Sequence, residues 1–366
     1  MERTEGATVR TAVSVIIVNY NYAMFLAAAI ESALSQDYPE LEVVVVDDGS
    51  TDDSRNVIAR YGGRVRVLLK DNGGMCSAVN AGFALTTGAI VMIVDADDYL
   101  HPRAVSRVTS AWQPRCSKVQ FRLSLVDAVG VRVGADPPVH VPMPSGDVLP
   151  RLATTGRYPC AITVGNAYNR KVIAALFPLP ETGPLRNSAD GYLNPLCPFF
   201  GPITSLADEL GSYRLHGANL WAMSGDVTVK RVRDGVEHDL EQQRQMQAQA
   251  AARRHPWPNG VMLRDPDHLL FRLSSLRLDR PRHPVCTDTR LFLLRAAIPA
   301  VIRHPDLSLA ERLYQLILLT LVATLPPAQV NQIVSWTLAA RPKPVWLRTV
   351  ARILRRSGQS SGTDAS

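Results

Sequence analysis

Two stretches of this chain end an apolar run on clustered carboxylates. "VVVVDDGSTDD" places Asp47 and Asp48 directly after four valines, and "IVMIVDADDYL" places Asp95, Asp97 and Asp98 after a second apolar run. Acids this close repel one another unless each is solvated apart, and a divalent cation relieves such a cluster most readily. Oxygen-only ligands suit Mg²⁺ or Mn²⁺ better than zinc. A cation held by one or two carboxylates fills its other positions with water and phosphate oxygens, so these residues point to a nucleotide diphosphate. A plainer role competes at the first cluster: Ser50, Thr51 and Asp52 are good helix N-caps, and acids there complement a helix dipole. The segment "VNYNYA" after the first apolar run holds no glycine, which sets aside a GxGxxG dinucleotide cradle; a Walker A loop is also absent.

The two acidic clusters can serve one ligand only if the runs before them lie side by side. "VSVIIV" reads as a strand, "NYNYAMFL" as a loop, and "AAAIESALSQ" as a helix by the spacing of its apolar residues. "LEVVVV", "DDGSTDDS" and "RNVIARY" repeat the pattern, followed by a strand at "RVRVLL", a helix through "SAVNAGFALT" and a strand at "AIVMIV". Strands alternating with helices imply a parallel sheet covered on both faces, a three-layer α/β/α domain whose ligands sit beyond the carboxyl ends of the strands. Residues 130–147, "GVRVGADPPVHVPMPSGD", read as a loop or mobile edge. A long polar helix is expected over "VKRVRDGVEHDLEQQRQMQAQAAARR", with proline-broken stretches beyond it. The expected organisation is a flexible start over 1–12, a catalytic domain over 13–226, a helical region over 227–356 and a disordered tail over 357–366.

Composition narrows the function classes. With 366 residues, 46% of them hydrophobic, the chain can bury one large core and a smaller one. The net charge of +7 is concentrated in the C-terminal third, where arginines thicken, which implies an anionic surface as partner. Nucleic acid is not expected, since no zinc-ligand spacing, RNA-binding aromatic signature or basic zipper accompanies the charge. Cys76, Cys116, Cys160, Cys197 and Cys286 are odd in number and never spaced as CxxC, arguing against a disulfide framework or structural zinc. The polar start "MERTEGATVRT" does not read as a secretory signal, so a cytoplasmic setting is expected.

Taken in order, "VSVIIVNYN", "VVVVDDGSTDDS", "DNGGMCSAVNAGFALTTG", "IVMIVDADDYL", "SADGYL" and "YRLHGANLW" resemble the family 2 glycosyltransferases over residues 13–221. That resemblance implies a GT-A fold and inverting transfer from a nucleotide-sugar donor, UDP first among the nucleotides. By position, Val18 and Asn19 would frame the base, Asp47 and Asp48 would contact the nucleobase and nucleoside, and Asn72 and Asn80 would line the donor pocket. Asp95, Ala96 and Asp97 stand as the family's DxD element, the first contacting ribose or sugar and the last binding Mg²⁺ or Mn²⁺. Asp190 falls at the general base, and His216 near the diphosphate or metal. Three positions depart from the pattern: Val18 replaces a frequent proline, Val79 a frequent arginine, and Ala189 an acid that commonly precedes the base.

Two features lie outside that resemblance. "LYQLILLTLVATL", residues 313–325, is strongly apolar but short of the roughly 20 residues a spanning helix needs, so it belongs to a core or to a monotopic insertion. Trp346, Leu347, Val350, Ile353 and Leu354 recur at helical intervals with Arg348, Arg352, Arg355 and Arg356 on the opposite face. Such a helix either packs on its own domain or lies on an anionic membrane, consistent with a glycan or lipid-linked acceptor and a peripheral position at the inner face. A nucleotidyltransferase and a catalytically silent scaffold that keeps the fold are the competing functions. The first lacks its glycine- and arginine-rich triphosphate loop, and the second is opposed by retention of both the DxD element and Asp190.

Overall fold

The structure, a computed structural model, describes residues 11–217, 219 and 229–338. Most of the start over 1–12, Trp221, position 226, the amphipathic segment 346–356 and the tail over 357–366 lie outside the described residues. The chain divides into two compact units, Met1–Val148 with Pro159–Arg214, and Leu149–Tyr158 with Leu215–Ser366. The second unit thus begins at Leu215, ahead of the expected boundary at 226, and takes in a short earlier segment.

The strands are β1 (Val13–Asn19), β2 (Leu41–Asp48), β3 (Arg66–Lys70), β4 (Ile90–Asp95), β5 (Tyr99–Leu100), β6 (Lys118–Val126), β7 (Arg132–Asp136), β8 (Asn166–Asn169) and β9 (Ile203–Arg214). In the first unit they are joined by helices α1 (Ala23–Leu34), α2 (Ser54–Ala59), α3 (Met75–Leu85), α4 (Ala104–Ser110), α6 (Arg170–Ala174) and α7 (Ala189–Leu196). To the second unit belong α5 (Leu149–Thr155), α8 (Val229–Ala252), α9 (Pro266–Leu278), α10 (Arg290–Arg303), α11 (Leu309–Thr324) and α12 (Pro327–Leu338).

The strands form one sheet in the order β3-β2-β1-β4-β8-β6-β9-β5, with β7 on β6. Every residue of β1 is buried, because both faces of the sheet are covered. Val15 and Ile17 pack with Leu26, Ala29 and Ile30 of α1. On the other face, a β-carbon on Gly82 of α3 would meet Ile16 and Val46 at 2.6 and 3.0 Å, so the helix lies close against the strands. This is the three-layer α/β architecture expected from the sequence.

The sheet is nevertheless mixed. β3, β2, β1 and β4 are parallel, whereas β8 runs antiparallel to both β4 and β6. The interval 130–147, expected to be a loop or mobile edge, contains β7, whose antiparallel partner β6 supplies the backbone hydrogen bonds that its proline- and glycine-rich surroundings do not suggest. The apolar run of α11 is divided: Leu318, Leu319, Val322 and Ala323 are buried in the core of the helical unit, while Leu309, Leu313 and Ile317 are exposed.

Candidate active site

Chain order along the parallel strands turns at β1, with β2 and β3 to one side and β4 to the other, which opens a crevice at the carboxyl ends. Register places Asn19 opposite Asp47 and Val18 opposite Asp95. The two acidic clusters therefore occupy one edge, flanking β1.

The first cluster organises two loops. The Asn19 amide nitrogen donates to Asp47 Oδ1 at 2.8 Å and to Ser50 Oγ at 3.0 Å, and Ser50 N donates to Asp47 Oδ2 at 3.2 Å. Ser50 Oγ also accepts from Asn21 N at 2.9 Å, while Asn21 Oδ1 accepts from Thr51 N at 2.7 Å. Ser50, Thr51 and Asp52 thus hold the β1–α1 loop, and Asp52 Oδ1 also accepts from Ser54 N at 3.0 Å at the start of α2, whose N-cap position is Asp53. Asn21 takes a left-handed φ of 58°, a conformation asparagine tolerates better than other residues with a β-carbon. The buried Asn19 Oδ1 has no protein partner, which leaves one acceptor for a ligand.

Asp48 shapes the next loop. Its Oδ1 accepts from Lys70 Nζ at 2.7 Å and Gly73 N at 3.0 Å, and its Oδ2 accepts from Gly74 N at 2.8 Å. The same loop is gripped from the other side, where Asn187 Oδ1 accepts from Met75 N at 3.1 Å and Arg186 Nη2 donates to Gly73 O at 3.1 Å. A continuous hydrogen-bonded path therefore joins the end of β2 to the segment preceding Asp190. Asn72 lies in this loop, its backbone nitrogen only 2.6 Å from where a β-carbon on Gly49 would stand. Asn80 is engaged elsewhere: its amide bonds the Leu179 backbone at 3.0 and 2.8 Å and Glu181 Oε1 at 2.8 Å.

The second cluster is crowded. Burial pushes the Asp95 carboxyl well above the usual aspartate range, the charges of Asp97 and Asp190 add to the shift, and a hydrogen bond from Thr163 opposes it. Asp98 is raised by burial and by Asp97 and Asp95. Its Oδ1 accepts from Arg214 N at 3.0 Å, whereas its buried Oδ2 has no protein partner. Arg214 Nε donates to the Asp97 carbonyl at 3.1 Å, and Ala96 N donates to the Val18 carbonyl at 3.0 Å, so backbone contacts fix the turn that carries Ala96 and Asp97. Tyr22 is raised by burial and then by Asp97, Asp95 and Asp98, which places its phenol beside the same turn.

Asp190 comes from a distant part of the chain and stands in the first turn of α7, where the helix dipole favours a negative charge. Ser188 Oγ reaches its Oδ1 at 3.4 Å. Asp136, at the end of β7, joins the group: burial lifts its carboxyl to about 6, against the pull of Arg122 and with a push from Asp190. Nothing in the sequence singles Asp136 out, since β7 is a strand only through its pairing. Beneath α7 the fully buried Lys118 donates to Asn194 Oδ1 at 2.6 Å and Asn166 Oδ1 at 2.8 Å. His216 belongs to the second unit, where its backbone N–H donates to Asn219 Oδ1 at 2.6 Å.

Among the described residues, no three His, Cys, Asp or Glu side chains converge as a ready-made metal cage. The oxygen donors present, the crowding that raises Asp95 and Asp98, and the orphaned Asp98 Oδ2 fit a divalent cation that draws its remaining ligands from phosphate and water. A separate cleft of about 520 Å³, lined in part by Leu34, Tyr38, Leu41 and Arg64, opens at the amino-terminal end of β2, away from these carboxylates.

A family model described as glycosyl transferase family 2 matches residues 14–137, the stretch that supplies β1 to β4 and both acidic clusters. Over those residues the chain is similar to that family. An uncharacterized glycosyltransferase from Nostoc sp. is 37% identical over 213 residues, 57% of this chain and 66% of the relative. Chondroitin synthase from Pasteurella multocida is 44% identical over 96 residues, 25% of this chain and 10% of that protein. The chain thus covers less than two thirds of these relatives' own lengths. The structure of S. aureus TarS 1-349 in complex with UDP-GlcNAc has 16% identity and a TM-score of 0.50, covering 94% of this chain and 92% of that one, a likeness of GT-A-type fold.

Proposed function

We propose that this protein is an inverting glycosyltransferase that moves a sugar from a nucleotide-diphosphate donor to a hydroxyl of a glycan or lipid-linked acceptor. The observation that carries the reading is the approach of Asp190 to Asp95, which Asp97 also faces: a carboxylate far along the chain is brought within electrostatic reach of a strand-end acid. The matched family and the UDP-GlcNAc complex of the fold neighbour put a uridine nucleotide first.

In this reading the crevice at β1 receives the nucleoside, with Asn19 Oδ1 free to accept from the base and Asp47 and Asp48 holding the surrounding loops in place. Asp95 faces ribose or sugar. Asp97 would hold a magnesium or manganese ion, which would supply positive charge to the diphosphate as it departs. Asp190 accepts the proton of the acceptor hydroxyl as its oxygen bonds to the anomeric carbon, while the bond from that carbon to the diphosphate oxygen breaks on the opposite side. One displacement inverts the configuration.

Calorimetry with UDP, GDP and dTDP, with and without Mn²⁺, on the wild type and Asp97→Ala tests the donor site. Metal-dependent binding of one nucleotide, lost in the variant, is expected. Absence of binding under every condition would favour a catalytically silent scaffold. NMR of the product anomer then tests the stereochemistry, and retained configuration would overturn the single displacement.

A further inference from the structure

Helix α10 is apolar on two opposite sides. Leu293, Ala297, Ala300 and Val301 are buried in the core of the helical unit. About half a turn away, Leu291, Arg295, Ile298 and Ile302 recur at intervals of four, three and four residues, and the three apolar members are 59, 46 and 51% exposed. Phe292 beside them is also exposed. On α11, which packs against α10, Leu309, Leu313 and Ile317 repeat every fourth residue and are likewise exposed, while the core is met by Leu318, Leu319 and Val322. Seven of the fifteen large hydrophobic side chains exposed among the described residues lie on these two helices. A helix apolar all round is ordinarily buried in protein or in lipid, and a concentration of this kind marks an interaction surface.

Charge selects the occupant. Arg290, Arg295 and Arg303 are exposed on α10, which carries no acid, and the acid of α11, Glu311, is engaged with Ser308 in a capping box. Residues 341–356 contain six cations and no acid, so covering α10 with that segment would press like charges together. A two-fold contact between copies through this face would enclose the arginines of both α10 helices with no acid of α10 to pair them. An anionic surface with an apolar interior satisfies both the side chains and the charge. No described helix is long and apolar enough to cross a membrane, so the contact is interfacial.

We propose that the outward faces of α10 and α11 form a docking surface for an anionic lipid bilayer. The surface stands independently of the transferase reaction. It is also made of other residues than the C-terminal amphipathic segment.

The test is flotation of the full chain with vesicles of phosphatidylcholine alone or mixed with phosphatidylglycerol. Wild type is expected to float with the anionic vesicles, to stay behind with the neutral ones, and to be released by high salt. Ile298→Ser with Ile302→Ser alters exposed side chains only, and should weaken flotation at least about tenfold, with an unchanged melting temperature and circular dichroism spectrum. Arg352→Glu with Arg355→Glu serves as the comparison in the C-terminal segment. Equal flotation of wild type and the isoleucine variant would overturn the proposal, as would failure of wild type to float. So would a wild-type dimer in sedimentation that the isoleucine variant converts to monomer, because the face would then be covered by a second copy.

Discussion

Gly49 shows how one position decides the shape of the edge at the carboxyl ends of the strands. It follows Asp48 with φ +80°, and a β-carbon there would stand 2.6 Å from the backbone nitrogen of Asn72. Gly63 has nearly the same φ, +79°, but nothing within 4 Å. Gly63→Ala should therefore cost only the left-handed strain of about 1–2 kcal/mol, and Gly49→Ala clearly more, because backbone must also move; urea denaturation of the two variants compares them directly. At Asp190 the expected change is in catalysis. Asp190→Asn should lower kcat by about 10²–10⁴-fold while nucleotide binding measured by calorimetry is retained. Asp136 supplies a pH signature. Its carboxyl is raised to about 6 by burial and by Asp190, so the folded state binds its proton more tightly than the unfolded chain does. Its contribution to stability is full below about pH 4 and is lost as pH rises through 6. Asp136→Asn should accordingly gain stability relative to wild type at pH 7 and not at pH 4, as read by thermal melting at the two values.

At the scale of elements, the site depends on pieces that hold one another at a distance from the reacting groups. Strand β6 delivers Lys118 into the interior, where it meets Asn194, one helical turn beyond Asp190 on α7, and Asn166 on β8. Burial lowers the pKa of this lysine, against the opposing charges of Cys160, Cys197 and Asp190. Both amide oxygens lose a donor when it is removed. Lys118→Met should destabilise by about 1–3 kcal/mol, because Asn166 and Asn194 lose a donor each; pairing it with Asn166→Leu should recover part of that loss in denaturant titrations. The loop after β3 has a comparable dependence. Asp48 at the end of β2 and the Arg186–Asn187 pair before α7 both bond it, so the end of one strand and the entrance to the helix that carries Asp190 are coupled through a single turn.

On the scale of the whole molecule, each of the two units has its own core and its own buried charge. In the helical unit Asp239 of α8 is 4% exposed and accepts from Arg157 Nη2 at 2.7 Å, with His268 Nδ1 at 2.9 Å. Although burial opposes it, the Arg157 charge together with His238 and His268 holds this carboxyl far below its ordinary range. The stability it contributes is present above about pH 4 and fades as pH falls. Asp239→Asn should cost about 1–3 kcal/mol at neutral pH, since Arg157 loses one of its two carboxylate partners and keeps Asp265, and the gap from wild type should narrow in acid; equilibrium unfolding at the two pH values checks both statements.

Local pattern alone determined the parallel strands, the helices between them and the acids at their ends, because burial on both faces writes itself as apolar runs and the turns that follow need polar and glycine residues. Motif order singled out Asp190 as well. What only the tertiary structure decided is which side chains are left to act. Asn80 is a plausible pocket residue in sequence and proves bonded to Leu179 and Glu181, whereas Asn21, Asp136 and Lys118 gain their places from chain that is remote in sequence. Register, strand pairing and the depth of burial are properties of contacts between distant segments, and neither the period of a helix nor the alternation of a strand records them.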